Sequence, residues 1–257
     1  MLSFVINLDT KIENFEKQLP HLRKIGLEPK RFSAVTPENI HEYNDKQTST
    51  CKYICPTSTV CISTSHAMVA KMVYESGVDY GLVMEDDVFP LDTSADEFFL
   101  KIQKTLSEVP KDWDIILLHC DGWCSPGDTN ISSKSWSFAA YLLSRQGAEK
   151  LSNYPISGNF DFITSVTPDF LKYKSKENLF YTDEKTSTNR NKLFTNIYSI
   201  FDTFFPPNSG EKTWKEFLGY KIFRIPFTNI ELNSEHLILI KIGILLIVVL
   251  LYLCKSF

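Results

Sequence analysis

The sequence predicts an α/β protein with a mixed but mostly parallel sheet flanked by helices. Along residues 1–235, short apolar runs that suit buried strands alternate with segments whose apolar side chains recur at helical spacing. A length of 257 residues, with 43% hydrophobic and 23% charged residues, suffices for one large core and excludes a disordered or collagen-like chain. Strands separated by helices are typical of parallel sheets, which bind ligands at the carboxyl ends of their strands.

The first strand and helix give the clearest local signal. Residues 4–8 form a short apolar run, and the apolar side chains after it recur at helical spacing up to Gly26. Further strands are predicted at residues 31–35, 80–84, 113–119 and 138–143. Further helices are predicted at residues 67–76, 96–109 and 145–151. After residue 175 the periodicity weakens, and the polar residues 183–196 predict a loop.

The end of the chain differs in character from the rest. Lys241 is the only charged residue between positions 237 and 254, and as a helix these 18 residues span roughly 27 Å, close to the thickness of a thin bilayer. We therefore expect a globular domain over residues 1–235 and a C-terminal transmembrane helix over residues 236–257. A buried core helix is the alternative, but a helix that is apolar all round needs complete enclosure, which a chain terminus seldom finds.

The compartment is predicted from both ends of the chain. Residues 1–7 lack the basic start, the long apolar run and the cleavage site of a secretory signal. A single-pass C-terminal anchor without such a signal resembles a tail anchor, which places the body of the protein on the cytosolic side of a membrane. The net charge of −4, with no basic tract, argues against nucleic acid as a partner.

The cysteines are expected to be free thiols. Six cysteines are too few for a disulfide scaffold of this length, and a reducing compartment disfavours disulfides. The alternative is a zinc site, although the spacing is not that of a zinc knuckle or ribbon. Its ligands would come from Cys51, Cys55, Cys120, Cys124, His66 and His119.

Three consecutive acids, Glu85, Asp86 and Asp87, directly follow the predicted strand at residues 80–84. Adjacent carboxylates repel one another, and a hard divalent cation is a natural counter-charge. On an extended segment Glu85 and Asp87 point to the same side, so they can share one ion while Asp86 turns away. A cation held by one or two carboxylates keeps positions open for phosphate oxygens and water. The alternative is a solvated acidic turn.

The order of the motifs resembles glycosyltransferase family 25, which includes bacterial lipooligosaccharide galactosyltransferases and procollagen galactosyltransferases. The resemblance covers roughly residues 3–165, and the ordered set is more specific than any one motif. The blocks that carry it are Val5-Ile6-Asn7-Leu8, Arg31-Phe32-Ser33-Ala34-Val35, Ser65-His66, residues 79–88, Trp113-Asp114-Ile115-Ile116-Leu117-Leu118, Ala140-Tyr141-Leu142-Leu143-Ser144, Gly147-Ala148-Glu149-Lys150-Leu151 and Asp161.

The resemblance implies a GT-A-like fold, a UDP-sugar donor, a divalent Mn²⁺ or Mg²⁺ ion and transfer with inversion at the anomeric carbon. The ion, held by Glu85 and Asp87, neutralises charge on the departing diphosphate. An inverting transfer needs a carboxylate base on the opposite face of the sugar, and Asp161 is the candidate. The competing interpretation is that Asp161 binds the acceptor or caps a helix.

The resemblance also implies a donor site. Its candidate residues are Asn7, Asp9, Lys11, Ser65, His66 and Asp86. Asp9 could instead cap a turn, and a lone histidine such as His66 is more often structural than functional. Family members carry arginines after the first strand where this chain has Lys11, whose ammonium lacks the bidentate fork of a guanidinium.

Two functions therefore remain open from the sequence. The first is a membrane-anchored glycosyltransferase that moves a hexose, with galactose favoured and glucose next, to a hydroxyl of a glycan, a lipid-linked sugar or a protein. The second is a catalytically degenerate GT-A-like membrane protein that binds a nucleotide sugar or a glycan without turnover. The acidic triplet favours the enzyme, and the missing arginines favour the binding protein.

Overall fold

The computed structural model describes residues 1–120, 138–183 and 221–233, apart from residues 227 and 229. Within these ranges the chain forms ten strands, six α-helices and two 3-10 helices. The strands are β1 (Ser3–Asn7), β2 (Lys30–Ser33), β3 (Tyr80–Glu85), β4 (Val88–Pro90), β5 (Ile115–Leu117), β6 (Ala140–Ser144), β7 (Lys172–Lys174), β8 (Phe180–Thr182), β9 (Lys221–Arg224) and β10 (Glu231–Asn233). The α-helices are α1 (Ile12–Lys24), α2 (Ser49–Ile54), α3 (Thr57–Glu75), α4 (Ala95–Glu108), α5 (Arg145–Asn153) and α6 (Phe160–Val166), and the 3-10 helices are Asp9–Lys11 and Ile40–Lys46.

Six strands form the central sheet, in the order β2-β1-β3-β6-β5-β7. β1 runs parallel to β2 and β3, and β5 runs parallel to β7, whereas β6 is antiparallel to β3 and β5. The pairs β4–β8 and β9–β10 lie outside this sheet. The mixed, mostly parallel sheet confirms the predicted α/β class.

Helices cover both faces of the sheet because strand side chains alternate between the faces. Phe4 and Ile6 of β1 lie in a buried cluster with residues of α3 and α5, whereas Val5 lies in a second cluster with residues of α1 and α4. β3 divides in the same way, with Val83 in the first cluster and Leu82 in the second. The sheet is thus the middle of three layers, and its strand ends are where a site is expected.

Capping residues and glycines set the helix ends. Ser94 and Ser144 cap α4 and α5 by accepting a hydrogen bond from a backbone N–H of the first turn. Gly26, with a φ of 76°, follows α1 in the left-handed conformation that commonly ends a helix. A Cβ on Gly147 would lie 2.3 Å from the carbonyl oxygen of Asp114, so this glycine lets α5 approach the start of β5 closely.

The predicted strands and helices are confirmed with shifted ends. The helix predicted over residues 67–76 begins earlier in the structure, at Thr57. Its first turns were not predicted because they are rich in serine and threonine, which have weak helix propensity. The strand predicted over residues 113–119 is shorter, and β5 covers Ile115–Leu117. The short elements α2, α6, β4, β7, β8, β9 and β10 were not predicted, because three to seven residues carry little periodic signal.

The prediction of free thiols is wrong for three cysteines. Cys51 and Cys55 form a disulfide across α2, with their Cα atoms 4.7 Å apart, and Cys120 is also disulfide-bonded. The sequence carried a signal for this pair, because a spacing of four residues places two side chains on one face of a helix. Cys61 is a free, buried thiol, and burial raises its pKa to about 11.

The predicted transmembrane helix over residues 236–257 lies outside the described residues, as do residues 184–196 of the predicted loop. Across the three described ranges, no helix has both the length and the apolar character needed to cross a bilayer.

Candidate functional site

The site lies where the strand order reverses. The chain passes from β1 to β2 on one side and then returns to β3 on the other side of β1. In α/β sheets a crevice opens at such a point, beyond the carboxyl ends of the strands. β1 ends at Asn7 and β3 at Glu85, and Ile6 pairs with Glu85 across the sheet. Two segments that are distant in sequence therefore place their polar ends side by side.

The acidic triplet forms the connection from β3 to β4. Asp86 turns toward β1, where its Oδ2 accepts hydrogen bonds from Asn7 Nδ2 at 2.6 Å and from Asn14 Nδ2 at 3.4 Å. Burial raises the pKa of Asp86, and the two amide hydrogen bonds oppose that shift. Asp86 therefore faces the end of β1 and the first turn of α1.

Gln18 of α1 holds the backbone of the same connection. Its Nε2 donates to the carbonyl oxygen of Glu85 at 2.9 Å and also to that of Val88. On the other side, the backbone N–H of Asp183 donates to the carbonyl oxygen of Asp87 at 2.7 Å. Because a fully buried side chain bonds to the backbone at both ends of the connection, the path of the backbone through the acidic triplet is set by the fold.

Arg31 is a site residue that the sequence analysis did not identify. It lies on β2, and its Nε donates to Asn7 Oδ1 at 2.7 Å, while its terminal nitrogen contacts a carboxylate oxygen of Asp9. The other Asp9 oxygen accepts from Ser33 Oγ at 2.6 Å. The hydrogen bonds from Ser33 and Arg31 lower the pKa of Asp9. The place of Arg31 in the site follows from the parallel pairing of β1 and β2, which puts it next to Val5 and which the sequence alone does not specify.

Lys11 and Ser65 have other contacts in the structure. Lys11 Nζ lies 3.7 Å from Glu13 Oε1, and the Lys11 carbonyl oxygen accepts from Asn7 Nδ2 at 2.7 Å. The Ser65 hydroxyl accepts from the Val35 N–H and donates to the Cys61 carbonyl, both at 2.8 Å. Lys11 therefore supports Asn7 through its backbone, and Ser65 joins α3 to the end of β2.

His66 lies beneath the acidic connection. Its Nε2 is 3.3 Å from Glu85 Oε1, and its Nδ1 is 2.9 Å from the Tyr141 hydroxyl. Burial lowers the pKa of His66 to about 4, with the Asp161 carboxylate opposing the shift, so the imidazole is neutral at pH 7. Burial, with Glu85 and Asp161 nearby, raises the pKa of Tyr141. His66 thus links Glu85 to the buried face of β6.

Asp161 lies in the first turn of α6. The cap of this helix is Asn159, whose Oδ1 accepts from the Asp161 N–H at 3.0 Å, so the capping role considered for Asp161 belongs to its neighbour. The Asp161 carboxylate acts electrostatically on His66, Tyr141 and Lys172. Asp161 therefore interacts electrostatically with His66, the side chain that contacts Glu85.

Lys172 of β7 was also not identified from the sequence. Its side chain is buried beneath α6, where Nζ donates to Thr164 Oγ1 at 3.1 Å and to the Asp161 carbonyl oxygen at 3.4 Å. Nζ also lies 5.4 Å from the centre of the Phe138 ring. Burial lowers the pKa of Lys172 to about 8, against the attraction of Asp161. A lysine in a three-residue strand gives no sequence signal that distinguishes it from a surface lysine.

Glu85 and Asp87 suit a divalent cation by the chemistry of their oxygen donors. No group of three histidine, cysteine, aspartate or glutamate side chains arranged to hold a metal occurs in the part of the chain that the structure describes. One or two carboxylates are nevertheless enough for Mg²⁺ or Mn²⁺ when substrate phosphates complete the coordination. By donor chemistry alone, Glu85 and Asp87 are compatible with an ion whose remaining ligands come from another molecule.

No family model matches the chain, and no curated protein matches it. Among solved structures, A197 from STIV aligns with a TM-score of 0.39 and 14% identity, covering 68% of this chain and 81% of its own. A glycosyltransferase involved in the glycosylation of the major capsid of PBCV-1 aligns with a TM-score of 0.40 and 8% identity, covering 73% and 95%. Drosophila β-1,4-galactosyltransferase 7, in complex with manganese, UDP-Gal and xylobiose, aligns with a TM-score of 0.37 and 10% identity, covering 76% and 77%. TM-scores below 0.5 are too low for the function to rest on these similarities.

Proposed function

We propose that the chain is a metal-dependent inverting glycosyltransferase. It would move a hexose, galactose first and glucose next, from a UDP-sugar to a hydroxyl of a glycan, a lipid-linked sugar or a protein. The observation that carries the proposal is the acidic β3–β4 connection at the reversal of strand order, tied to β1 by the 2.6 Å hydrogen bond between Asn7 and Asp86.

The donor nucleotide is assigned to the end of β1. Asn7, Asp9 and Arg31 place amide, carboxylate and guanidinium groups at one point of the crevice, which suits the hydroxyls of a ribose and the oxygens of a diphosphate. Arg31 supplies, from the second strand, a guanidinium that the sequence lacks after the first strand. A guanidinium can bind two phosphate oxygens, as the ammonium of Lys11 cannot, once Arg31 exchanges its contacts with Asn7 and Asp9 for the ligand. This favours the enzyme over the degenerate binding protein.

Glu85 and Asp87 would hold Mn²⁺ or Mg²⁺. The bound ion supplies neutralisation of the charge on the leaving diphosphate, a contribution of several kcal/mol. The chain's own part is to orient these two carboxylates. Gln18 fixes the backbone of the connection, and neutral His66 contacts Glu85 Oε1. An imidazole that stays neutral at pH 7 leaves the negative charge of Glu85 available.

Asp161 is assigned the role of the base that takes the proton of the acceptor hydroxyl. As the acceptor oxygen bonds to the anomeric carbon, the bond from that carbon to the diphosphate oxygen breaks, and its electron pair leaves with the diphosphate. The hydroxyl proton of the acceptor passes to the Asp161 carboxylate. The same carboxylate is electrostatically coupled to His66, so the base and the leaving-group side belong to one connected group of residues.

The domain boundary and the membrane location remain part of the proposal. Residues 1–235 would form the catalytic domain, and residues 236–257 a single-pass anchor. The disulfides at Cys51–Cys55 and at Cys120 favour an oxidising compartment over the cytosolic side that the sequence predicts. Alkylation of the protein in membranes, with and without prior reduction, measures the protected thiols by mass. If every cysteine is alkylated without a reductant, the disulfides are absent in the membrane-bound protein, and the cytosolic location predicted from the sequence is supported instead.

The proposal is tested by UDP release from UDP-galactose and UDP-glucose with Mn²⁺. Asp87→Ala is expected to lower kcat/KM about 1000-fold, or about 4 kcal/mol, because the ion loses a ligand. The matched control is Asp92→Ala, which removes an exposed acid paired with Lys24 at 2.6 Å and should leave kcat/KM unchanged. Binding of UDP-sugars without turnover over a broad panel of acceptors would support the binding protein instead. The absence of both binding and turnover would refute both functions.

A further inference from the structure

Lys172 makes specific contacts below the candidate base. It is 8% exposed, and its Nζ donates to two groups of α6, the Asp161 carbonyl oxygen and the Thr164 hydroxyl one turn later. Thr164 Oγ1 in turn donates to the Phe160 carbonyl oxygen at 2.7 Å. The ammonium therefore fixes the first turn of α6, and with it the position from which the Asp161 side chain starts.

In the described part of the chain, titratable groups near Asp161 lie on four elements. Lys172 of β7, His66 of α3 and Tyr141 of β6 each interact electrostatically with Asp161. Glu85 of β3 contacts His66. His66 and Tyr141 are uncharged at neutral pH because burial disfavours their ionised forms. Glu85 is an anion whose charge favours the protonated form of a neighbouring carboxyl. Among the described residues of this group, Lys172 contributes a positive charge, which favours the ionised form of Asp161.

Burial of a lysine costs stability, so its position calls for an explanation. An apolar side chain of similar length could fill the space beside Phe138 without desolvating a charge. With its pKa at about 8, Lys172 still carries its proton for most of the time at pH 7. Ionisable groups that are perturbed by burial near a specific partner cluster at functional sites.

We propose that Lys172 is a positioning residue, whose buried ammonium fixes the start of α6 and keeps the Asp161 carboxylate ionised so that it can accept the proton of the attacking hydroxyl. The inference rests on the proposed function in its catalytic part. Its electrostatic part concerns the protonation of Asp161 and is measurable without turnover.

The kinetic test compares Lys172→Met, Lys172→Arg and Lys176→Met in UDP release from UDP-galactose, with water as the acceptor. Lys172→Met is expected to move the acid limb of the pH profile of kcat up by about one unit. At pH values on that limb it should lower kcat by up to about ten-fold, and it should change KM less than about two-fold. Lys172→Arg keeps the charge and should keep the position of the limb. Lys176 is the control, since it pairs with Glu108 at 3.0 Å on the surface and its loss should move nothing. A lower kcat at every pH with an unmoved limb would overturn the inference.

The second test needs no activity. Carboxyl ¹³C NMR of the aspartate-labelled protein, with Asp161→Asn to assign the resonance, follows the titration of Asp161 directly. Lys172→Met should raise its midpoint by about one pH unit, and an unchanged midpoint would overturn the inference. If Lys172→Met does not fold, Thr164→Val removes the hydroxyl acceptor instead and should raise the midpoint in the same direction. A wild-type protein that releases no UDP refutes the proposed function, while the titration still decides the role of Lys172.

Discussion

The polar groups at the end of β1 and those beneath α6 differ in their exposure to water. At the end of β1, Asp9 and Arg31 form an ion pair whose side chains are 67% and 24% exposed. Beneath α6, His66 and Lys172 are 1% and 8% exposed. The first pair is solvated and needs little compensation from the fold. His66 and Lys172 have been taken out of water, and burial disfavours the charged form of each, so His66 is neutral and the pKa of Lys172 is lowered.

This difference separates binding from proton control. Exposed groups keep nearly ordinary hydration and can exchange their partners for a ligand, as the groups that hold a nucleotide must do. Buried groups have their protonation set by the protein, because desolvation and neighbouring charges are large there. The molecule therefore places changeable contacts at β1 and fixed protonation states at α6. The predictions below measure how far this division holds.

The largest expected effect belongs to His66. Its pKa of about 4 in the folded protein lies below the ordinary 6.5. Between pH 6.5 and pH 4 the unfolded chain therefore binds a proton that the folded protein does not bind, and the unfolding free energy decreases as the pH falls. Relative to His66→Gln, the wild type should lose about 3 kcal/mol more of its unfolding free energy between pH 7 and pH 4. Urea denaturation at both pH values measures the difference.

The control for this prediction is His21→Gln, on the exposed face of α1, which should retain the wild-type dependence on pH. An equal loss in the wild type and in His66→Gln would mean that His66 is hydrated. The claim that the groups beneath α6 are desolvated would then be wrong for His66.

Lys172 should give a smaller effect at the opposite end of the pH scale. Its folded pKa of about 8 lies below the ordinary 10.5, so the folded protein releases its proton first and stability rises with pH between these values. From pH 7 to pH 9.5 the wild type should gain about 2 kcal/mol that Lys172→Met does not gain. Denaturation of both proteins at these pH values tests it. The same gain in Lys172→Met would assign the effect to other groups.

Much of the fold could be predicted because long elements carry periodic signals. The strand and the helix up to Gly26, and the buried strand before the acidic triplet, were both identified, since their apolar side chains follow the periods of buried elements. α6 and β7 were not, because neither is long enough to show a period. These two short elements bring Asp161 and Lys172 together, so the part of the site below α6 depends on tertiary structure.

Within the site, the sequence identified residues with distinctive local context. Glu85 to Asp87 are adjacent acids after an apolar strand, and this pattern needs no knowledge of the fold. Arg31 acquires its role because β2 pairs in parallel with β1, a long-range contact that one sequence does not specify. The same holds for Tyr141, which meets His66 across 75 residues of chain. Contacts between sequence-distant side chains are therefore what the structure adds.

The smallest effect on stability, and a clear effect on binding, is expected at Arg31. Arg31→Ala should lower the denaturation midpoint only slightly, because the pair with Asp9 is partly exposed to water and such pairs contribute little. It should weaken UDP binding about ten-fold, since one cation near the diphosphate is lost. Calorimetric titration with UDP and Mn²⁺ measures the affinity. The matched control is Arg23→Ala, which breaks the exposed pair with Glu28 at 3.1 Å and should leave the affinity unchanged. If Arg31→Ala lowers the midpoint while UDP binding is retained, the arginine supports Asn7 and Asp9 in the fold, and the solvated region would share the structural role assigned to the buried one.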